Sequence, residues 1–202
     1  MTTKTTTVIV GGVAGGMSTA ARLRRRDETM DIIVLEASGH VSFANCGLPY
    51  HVSGVIPERR SLLLQTPESL AARFNLDVRV NTRATAIDRE QQTVTTDTGD
   101  TIAYDHLVLS PGATPIIPPI PGIERALHLR TIEDVDAIIA ALTDDVASVA
   151  IIGGGFIGLE VAENMRHRGL DVTVIERAPQ ILTPLDEEMA AIVEKRLTDN
   201  GV

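Results

Sequence analysis

The sequence has no tryptophan, only 2% aromatic residues and a single cysteine, Cys46. One cysteine excludes a disulfide within the chain and leaves a free thiol to be explained. No apolar run approaches the roughly 18 residues of a membrane span, and the polar start from Met1 to Thr7 has no features of a secretory signal. We therefore expect a cytoplasmic protein with no membrane partner.

Positive charge is also scarce, since 18 Lys and Arg face 27 Asp and Glu and give a formal net charge of -9 at pH 7. This balance opposes the phosphate neutralisation that drives nucleic-acid binding, so nucleic acid is not an expected partner. The five histidines show no metal-ligand spacing, and no metal site is expected. What is present, 44% hydrophobic and 22% charged residues, is typical of a folded globular protein.

The clearest motif follows a predicted strand at residues 149–152. Gly153, Gly155 and Gly158 match the pattern G-x-G-x-x-G. The first glycine permits a tight turn, the second lets the backbone approach a pyrophosphate, and the third lets helix and strand pack closely. A helix to about Arg168 follows, so the pattern predicts a dinucleotide-binding βαβ unit.

An acidic residue closes this unit. The second predicted strand, residues 172–175, ends at Glu176, near the expected distance of about 20 residues beyond the glycines. A carboxylate there accepts hydrogen bonds from the adenosine ribose and repels a 2′-phosphate. We therefore predict NADH as the nucleotide, while the neighbouring Arg177 keeps NADPH open as an alternative.

The same order of strand, glycine turn, helix and strand occurs at the start of the chain. Gly11 and Gly16 occupy the outer glycine positions, but Val13 stands where the middle glycine is expected. Glu36 ends the next strand, again about 20 residues further on. The two units predict an α/β fold with two Rossmann-like dinucleotide-binding domains, although a plain βαβ turn remains the alternative for the first.

The region between the two units holds shorter patterns. Thr66 is a suitable N-cap for a helix over residues 67–74 with proline at its first position. Short alternating segments at 78–80, 84–87, 93–96 and 101–104 predict strands and a small antiparallel β-meander, and residues 107–109 predict a strand that returns to the first sheet. The stretch from Pro111 to Gly122 contains five of the ten prolines, which predicts a stiff connection between domains.

A family resemblance adds to these patterns. Residues 42–50, with 11–16 and 109–113, closely resemble the coenzyme A disulfide reductase branch of the FAD-dependent pyridine nucleotide-disulfide oxidoreductases. The resemblance spans nearly the whole chain. It implies that residues 1–113 form the N-terminal part of an FAD-binding domain and residues 114–202 an incomplete NAD(P)H-binding domain. The chain then lacks, at its C-terminal side, the remaining flavin segment and a dimerisation domain, and the full-length protein is expected to be a homodimer.

The resemblance also implies two sets of cofactor-binding residues. Those expected around FAD are Gly11, Gly16, Glu36, Ser110, Pro111, Gly112 and Arg130. Those expected around the nicotinamide nucleotide are Gly153, Gly155, Ile157, Gly158, Glu160 and Glu176.

The residues alone allow two interpretations of Cys46. A thiol just before a short helix is either a reactive thiolate or a small buried residue. The resemblance implies that it is the redox-active centre, with Ser42 and Asn45 around the substrate sulfur. His51 stands where glutathione-reductase-like enzymes carry a second cysteine, so a single-cysteine centre is expected. Related peroxidases and oxidases carry a histidine in the first glycine turn, where this chain has Ala14.

Three residues of the first predicted helix share one face. Ser18, Arg22 and Arg25 stand at i, i+4 and i+7. The resemblance implies that they contact coenzyme A, whose phosphates suit arginine side chains. A solvated helix end, with arginines near the negative end of the helix dipole, is the alternative.

These expectations combine into one functional hypothesis. Electrons pass from NADH through FAD to Cys46, held as a mixed disulfide with coenzyme A or as a persulfide. The alternatives are a single-cysteine NADH oxidase or peroxidase, and a catalytically incomplete fragment that only binds nucleotides. The sequence does not separate disulfide from persulfide as the substrate.

Overall fold

The computed structural model describes residues 4–202 and has an α/β fold. The chain forms two compact units. The first unit comprises the chain up to Ala44, Arg60–Ala126 and Thr131–Glu133. The second comprises Asn45–Arg59, Leu127–Arg130 and Asp134–Val202. The segment that carries Cys46 thus groups with the later part of the chain.

Residues 4–202 contain nine strands and six α-helices. In chain order they are β1 (Thr6–Val10), α1 (Ala14–Arg26), β2 (Asp31–Leu35), α2 (Leu48–Val52), α3 (Pro67–Phe74), β3 (Asp77–Arg79), β4 (Ala84–Asp88), β5 (Thr93–Thr96), β6 (Thr101–Ala103), β7 (His106–Leu109), α4 (Ile132–Ala141), β8 (Ser148–Ile152), α5 (Phe156–His167), β9 (Asp171–Ile175) and α6 (Glu187–Asp199). None of these helices is long and apolar enough to cross a membrane.

The first unit is built on a parallel sheet in the order β3-β2-β1-β7. Successive side chains of a strand point to opposite faces, so each strand contributes to two cores. Ile9 and Val34 lie on the face that packs with Met17 and Ala20 of α1. Val8 and Leu35 lie in a second cluster with residues of β5 and β6. The sheet is therefore covered on both faces, by α1 on one and by the meander on the other.

The meander and the α3 cap agree with the sequence patterns. Strands β4, β5 and β6 form a separate antiparallel sheet in that order. At the start of α3, the Thr66 side chain accepts a hydrogen bond from the Ser69 N–H, and the Ser69 hydroxyl accepts one from the Thr66 N–H. This reciprocal capping box satisfies two N–H groups that the helix itself cannot pair.

One arginine of the run at the end of α1 is structural. Arg24 is buried, and its guanidinium donates to the carbonyl oxygens of Phe74 at 2.8 Å and Asn75 at 2.9 Å. It also donates to the carbonyl of Glu28 at 2.8 Å and, less closely, to that of Asp27. These bonds tie the end of α1 to the end of α3, because carbonyls left over at helix ends need donors.

The second unit contains a parallel pair, β8 and β9, with α5 between them in the chain. Leu159 of α5 packs with Ile181 and Leu182, which lie between β9 and α6. The sequence patterns did not predict α4. Its buried Val135 and Ile138 stand three residues apart, as on one helix face, but the pattern is short and follows a proline-rich stretch.

Candidate functional site

The glycines of the first βαβ unit form a tight turn between β1 and α1. Gly11 has φ +105°, and a Cβ there would lie 2.0 Å from the carbonyl oxygen of Ser110. A Cβ at Gly16 would lie 1.7 Å from the carbonyl oxygen of Gly11. Any side chain at either position would overlap the backbone, so the turn requires glycine at both.

Glu36 closes this turn from the end of β2. One carboxylate oxygen accepts the N–H of Gly12 at 2.7 Å, and the other accepts the N–H and the hydroxyl of Ser38 at 2.7 and 2.8 Å. The Glu36 side chain is buried, with 8% of its surface exposed. Gly12 was not among the predicted site residues. The available signal was the glycine pair after β1, which recurs after β8.

The end of β7 brings Ser110 to the same turn. Its N–H donates to the Val10 carbonyl at 2.7 Å, and its hydroxyl lies 3.0 Å from the position that a Cβ of Gly15 would occupy. Pro111 and Gly112 follow, both exposed, and Gly112 has φ +70°. Ser110 thus contacts the glycine turn directly, while the next two residues lead away from it.

The second βαβ unit has the same turn between β8 and α5. Gly153 has φ +109°, and a Cβ at Gly158 would lie 2.0 Å from the Gly153 carbonyl oxygen. No atom of the described chain lies within 4 Å of the position of a Cβ at Gly155, so the middle glycine faces open space. Ile157 is exposed, and Glu160 is half-buried one turn into α5.

Glu176 closes the second turn from the end of β9. One carboxylate oxygen accepts the N–H of Gly154 at 2.7 Å, and the other accepts the N–H of Ala178 at 2.7 Å. These two N–H groups, that of Ala178 first, hold the pKa of Glu176 below its ordinary value of 4.5. The carboxylate is therefore an anion at neutral pH, and it is less buried than Glu36.

Beyond the glycines, the two turns share several hydrogen bonds, although the bond from the Ser38 hydroxyl to Glu36 has no counterpart at Ala178. The N–H of Gly11 donates to the Leu35 carbonyl, and that of Gly153 donates to the Ile175 carbonyl. The repetition extends to Ser42. Its N–H donates to the Gly12 carbonyl and its φ is +49°, while Leu182 donates to the Gly154 carbonyl with φ +46°. The unusual backbone of Ser42 is thus a feature of the repeated unit.

Cys46 lies in a 3-10 turn, Asn45–Gly47, that leads into α2. Both Cys46 and Asn45 are exposed. They belong to the second compact unit, whereas Ser42 belongs to the first. Helix α2 has only five residues, so a helix dipole contributes little at the thiol.

His51 occupies the position of the missing second cysteine. The side chain is 8% exposed, and Nδ1 lies 2.6 Å from the carbonyl oxygen of Ile56. Because that oxygen can only accept, Nδ1 carries the proton in this contact. The imidazole thus has a structural partner inside its own segment.

The remaining predicted residues are divided between the units. Ser18, Arg22 and Arg25 are exposed on α1 of the first unit. Arg130 belongs to the second unit, apart from the other residues expected around FAD, and its N–H donates to the Asp134 carboxylate at 2.9 Å. Within residues 4–202, no group of three or more His, Cys, Asp or Glu side chains is arranged to hold a metal ion.

Comparisons with known proteins agree on one family. The family model described as pyridine nucleotide-disulphide oxidoreductase matches residues 5–202. Among curated proteins, a coenzyme A disulfide reductase from Staphylococcus epidermidis is 39% identical over 188 residues, and an NADH oxidase from Methanocaldococcus jannaschii is 36% identical over 203 residues. These alignments cover 90% and 96% of the chain.

Solved structures give the same result. A reduced CoADR-RHD from Bacillus anthracis is 48% identical, with a TM-score of 0.93 over 98% of the chain. An NAD-dependent persulfide reductase from A. fulgidus is 38% identical, with a TM-score of 0.92. The chain spans 43% and 45% of the two curated relatives, and 37% and 38% of the two solved chains.

Proposed function

Because the chain belongs to the pyridine nucleotide-disulphide oxidoreductase family, we propose that it forms the flavin- and nicotinamide-binding part of an NADH-dependent reductase with Cys46 as its redox centre. The proposed substrate is coenzyme A disulfide or a persulfide. The observation that carries the proposal is the repeated glycine turn, closed in each copy by a carboxylate, with one exposed cysteine between the copies in the chain.

We assign the first glycine turn to FAD and the second to the nicotinamide nucleotide, with the domain boundary at residues 113/114. Both turns fit a dinucleotide. A pyrophosphate needs close approach to backbone N–H groups at a helix N-terminus, and the open space at Gly155 allows that approach. A carboxylate offers about four lone pairs. Glu36 uses three of them on Gly12 and Ser38, which leaves one for a ribose hydroxyl.

Glu176 carries the proposed preference for NADH. It uses two lone pairs on Gly154 and Ala178 and stays anionic, which leaves acceptors for both ribose hydroxyls. A 2′-phosphate in the same place would meet a second negative charge. Arg177 follows directly and reduces that repulsion without removing it.

Cys46 is proposed to act by thiol-disulfide exchange. Its thiolate attacks one sulfur of coenzyme A disulfide, which forms a mixed disulfide with Cys46 and releases one coenzyme A thiolate. The two electrons that reduce this disulfide would be supplied from NADH through bound FAD, which the first glycine turn would hold. Cleavage of the mixed disulfide with one proton regenerates the Cys46 thiolate and releases coenzyme A as a thiol. Since His51 replaces a second cysteine, the partner sulfur must come from the substrate.

The exposed face formed by Ser18, Arg22 and Arg25 is proposed to bind the phosphates of coenzyme A. Arg22 and Arg25 are exposed, which supports this role. Arg24, by contrast, is buried and donates to carbonyl oxygens of the chain, so we do not assign it to the phosphate site. Guanidinium groups bind phosphate through paired hydrogen bonds.

The decisive experiment measures the intact mass of the FAD-loaded protein before and after reductant, for the wild type and for Cys46→Ser. We expect an adduct of the mass of coenzyme A that reductant removes and that Cys46→Ser lacks. NADH oxidation should then require coenzyme A disulfide or coenzyme A persulfide, and should fall at least 100-fold in Cys46→Ser, as expected when a nucleophile is removed. Protein that takes up no flavin would contradict the proposal.

The alternative is a single-cysteine NADH oxidase, which the likeness to the Methanocaldococcus jannaschii protein favours. Ala14 in the first glycine turn is the sequence feature against it. An oxidase would consume oxygen or peroxide with NADH and hold Cys46 as a sulfenic acid. An intact mass that shows Cys46 as a sulfenic acid, together with no turnover of coenzyme A disulfide or persulfide, would favour the oxidase over the reductase.

A further inference from the structure

The segment Asn45–Arg59 belongs to the second unit and makes backbone hydrogen bonds within itself. Leu48 and Val52 of α2 are buried. The segment is closed by its own backbone bonds, in which Ile56 donates to the Tyr50 carbonyl and Gly54 to that of His51. The bonds of the segment to neighbouring elements therefore contribute to where the thiol of Cys46 lies.

The first such bond involves Asn164, a polar residue of α5 with only 3% of its surface exposed. Its Nδ2 donates to the Glu160 carbonyl at 2.7 Å, and its Oδ1 accepts the hydroxyl of Ser53 at 2.6 Å. The orientation of the amide follows from its partners, because a backbone carbonyl can only accept. A buried polar side chain whose groups are both bonded resists displacement.

The second bond comes from the end of the same helix. Arg168 donates through Nη1 to the carbonyl oxygen of Val52, the last residue of α2, at 2.8 Å. A third contact lies at the far end of the segment, where Arg59 makes a two-pronged bond to Asp136 of α4 at 2.7 and 2.8 Å. Asn164 and Arg168, which both bond to this segment, thus lie within or directly after the helix that begins at the second glycine turn.

We propose that Asn164 and Arg168 are positioning residues that hold the Cys46 segment against α5 in its reactive placement. The inference rests on the proposed role of Cys46 as the redox centre. Asn164 stands eight residues after the first residue of α5, or about 12 Å along the helix axis at 1.5 Å per residue. The helix therefore links the nucleotide turn at one end with the thiol segment at the other. Misplacement of a reacting group by about 1 Å can cost a factor of about 100 in rate.

The test compares Asn164→Ala, Ser53→Ala and the double variant in the FAD-loaded protein. Both single changes remove the Ser53–Asn164 bond, while Ser53→Ala also removes the contact of that hydroxyl with the Tyr50 carbonyl and Asn164→Ala the bond of the amide to the Glu160 carbonyl. The double variant should therefore lose less than the sum of the two single losses, by the contribution of the shared bond. We expect kcat with coenzyme A disulfide to fall about tenfold in each, while the KM for NADH stays within twofold. Arg168→Met should behave similarly, and Arg168→Lys, which keeps a donor, should retain most of the rate.

The matched control is Glu163→Ala, an exposed neighbour of Asn164 on the same helix, which should leave both parameters unchanged. A second readout is the rate of Cys46 alkylation by iodoacetamide, which needs no substrate turnover. We expect it to change at least threefold in Asn164→Ala and Ser53→Ala and not in Glu163→Ala.

The two readouts separate the failure of the inference from that of the proposed function. Folded variants whose kcat and alkylation rate both match the wild type would overturn the positioning role. If the wild type itself does not turn over coenzyme A disulfide or persulfide, the proposed function fails, and the alkylation rates alone decide whether Asn164 positions Cys46.

Discussion

Two glutamates, Glu36 and Glu176, stand at equivalent points of the repeated unit but differ in the number of hydrogen bonds that each accepts within the chain. Glu36 is buried and accepts three hydrogen bonds, whereas Glu176 is more exposed and accepts two. The second carboxylate therefore keeps more free acceptors for a ligand than the first. We propose that Glu176 carries the selection between NADH and NADPH.

Replacement of Glu176 by Ala should raise the KM for NADH about tenfold, the effect of losing a charge-assisted hydrogen bond. The preference over NADPH should shrink more, because the charge that repels a 2′-phosphate is also lost. Steady-state kinetics with both nucleotides measure this, with Glu163→Gln as a control that changes an exposed carboxylate elsewhere on the unit. An unchanged ratio of kcat/KM for the two nucleotides would contradict the role given to Glu176.

The contribution of Glu176 to the pH dependence of this preference follows from its pKa, which lies below 4.5. A carboxyl whose pKa is lowered in the folded state keeps its charge above that pKa and loses the associated interaction as pH falls through it. Glu176 itself should therefore contribute no pH dependence to nucleotide preference between about pH 5.5 and 8. A 2′-phosphate, whose second pKa is about 6, gains charge across that range, so the ratio of kcat/KM for NADH over NADPH should rise with pH in the wild type and rise less in Glu176→Ala.

At the residue scale, the sequence predicts those residues whose role is local to a motif. Gly11, Gly16, Gly158 and the two glutamates follow from spacing, because a tight turn and the end of the next strand leave little choice of residue. The bond between Ser53 and Asn164 joins residues 111 positions apart. Neither residue type nor spacing reveals such a contact, since it exists only once two helices have packed.

At the scale of elements, the strand, turn, helix and strand unit occurs twice with several hydrogen bonds in common. In each copy the first glycine has a positive φ and the last glycine packs against the carbonyl oxygen of the first, while the middle glycine of the second copy meets open space. A Cβ at Gly11 or Gly16 would overlap a backbone carbonyl, so neither glycine can be replaced, whereas the middle position of the first unit accepts Val13. An imperfect glycine motif therefore still encodes the complete turn.

A pair of substitutions in the second unit tests this difference between the last and the middle glycine. Gly158→Ala places a methyl group 2.0 Å from the Gly153 carbonyl oxygen and should lower the free energy of unfolding by about 3 kcal/mol, as overpacking of a tight site does. Gly155→Ala meets open space and should leave unfolding within about 0.5 kcal/mol of the wild type. Urea unfolding followed by circular dichroism measures both.

In folded protein, Gly155→Ala should weaken nucleotide binding more than Gly158→Ala does, although it has the smaller effect on stability. The methyl group of Gly155→Ala stands where we propose that the pyrophosphate approaches. The affinity of this variant for NAD⁺, measured by calorimetry, should therefore fall although its stability does not. If Gly155→Ala bound NAD⁺ normally, the middle glycine would have no part in pyrophosphate binding.

Sequence patterns predict elements well where one period dominates, as in β1, α1, β8 and α5. They fail for α4, whose Val135 and Ile138 are buried but too few to stand out from the irregular chain before them. They also do not predict the grouping of Asn45–Arg59 with the second unit, because membership of a compact unit depends on contacts distant in the chain.

At the scale of the whole molecule, a formal charge of -9 faces a proposed substrate that is itself an anion. Such a molecule needs a local positive surface to bind phosphates, and the exposed Arg22 and Arg25 on α1 provide one. Binding by exposed charges is screened by salt over a distance of about 8 Å at physiological ionic strength.

Arg22→Ala and Arg25→Ala should each raise the KM for coenzyme A disulfide about five- to tenfold and leave kcat nearly unchanged, as for loss of binding that is equal in ground and transition states. In the wild type the KM should rise with salt, and this rise should be smaller in each variant. Arg89→Ala, which removes an exposed arginine between β4 and β5, is the control for net charge. Equal salt dependence in all four proteins would exclude this surface as the phosphate site.

The likeness of the two glycine turns has a consequence for how they tolerate substitution. Gly12 and Gly154 each donate an N–H to the carboxylate that ends the next strand, Glu36 or Glu176, so equivalent changes in the two copies should remove equivalent hydrogen bonds. Ser42 and Leu182 share a left-handed backbone conformation although their side chains are unrelated. At that position the turn therefore depends on the backbone shape, and the side chain can differ between the two copies.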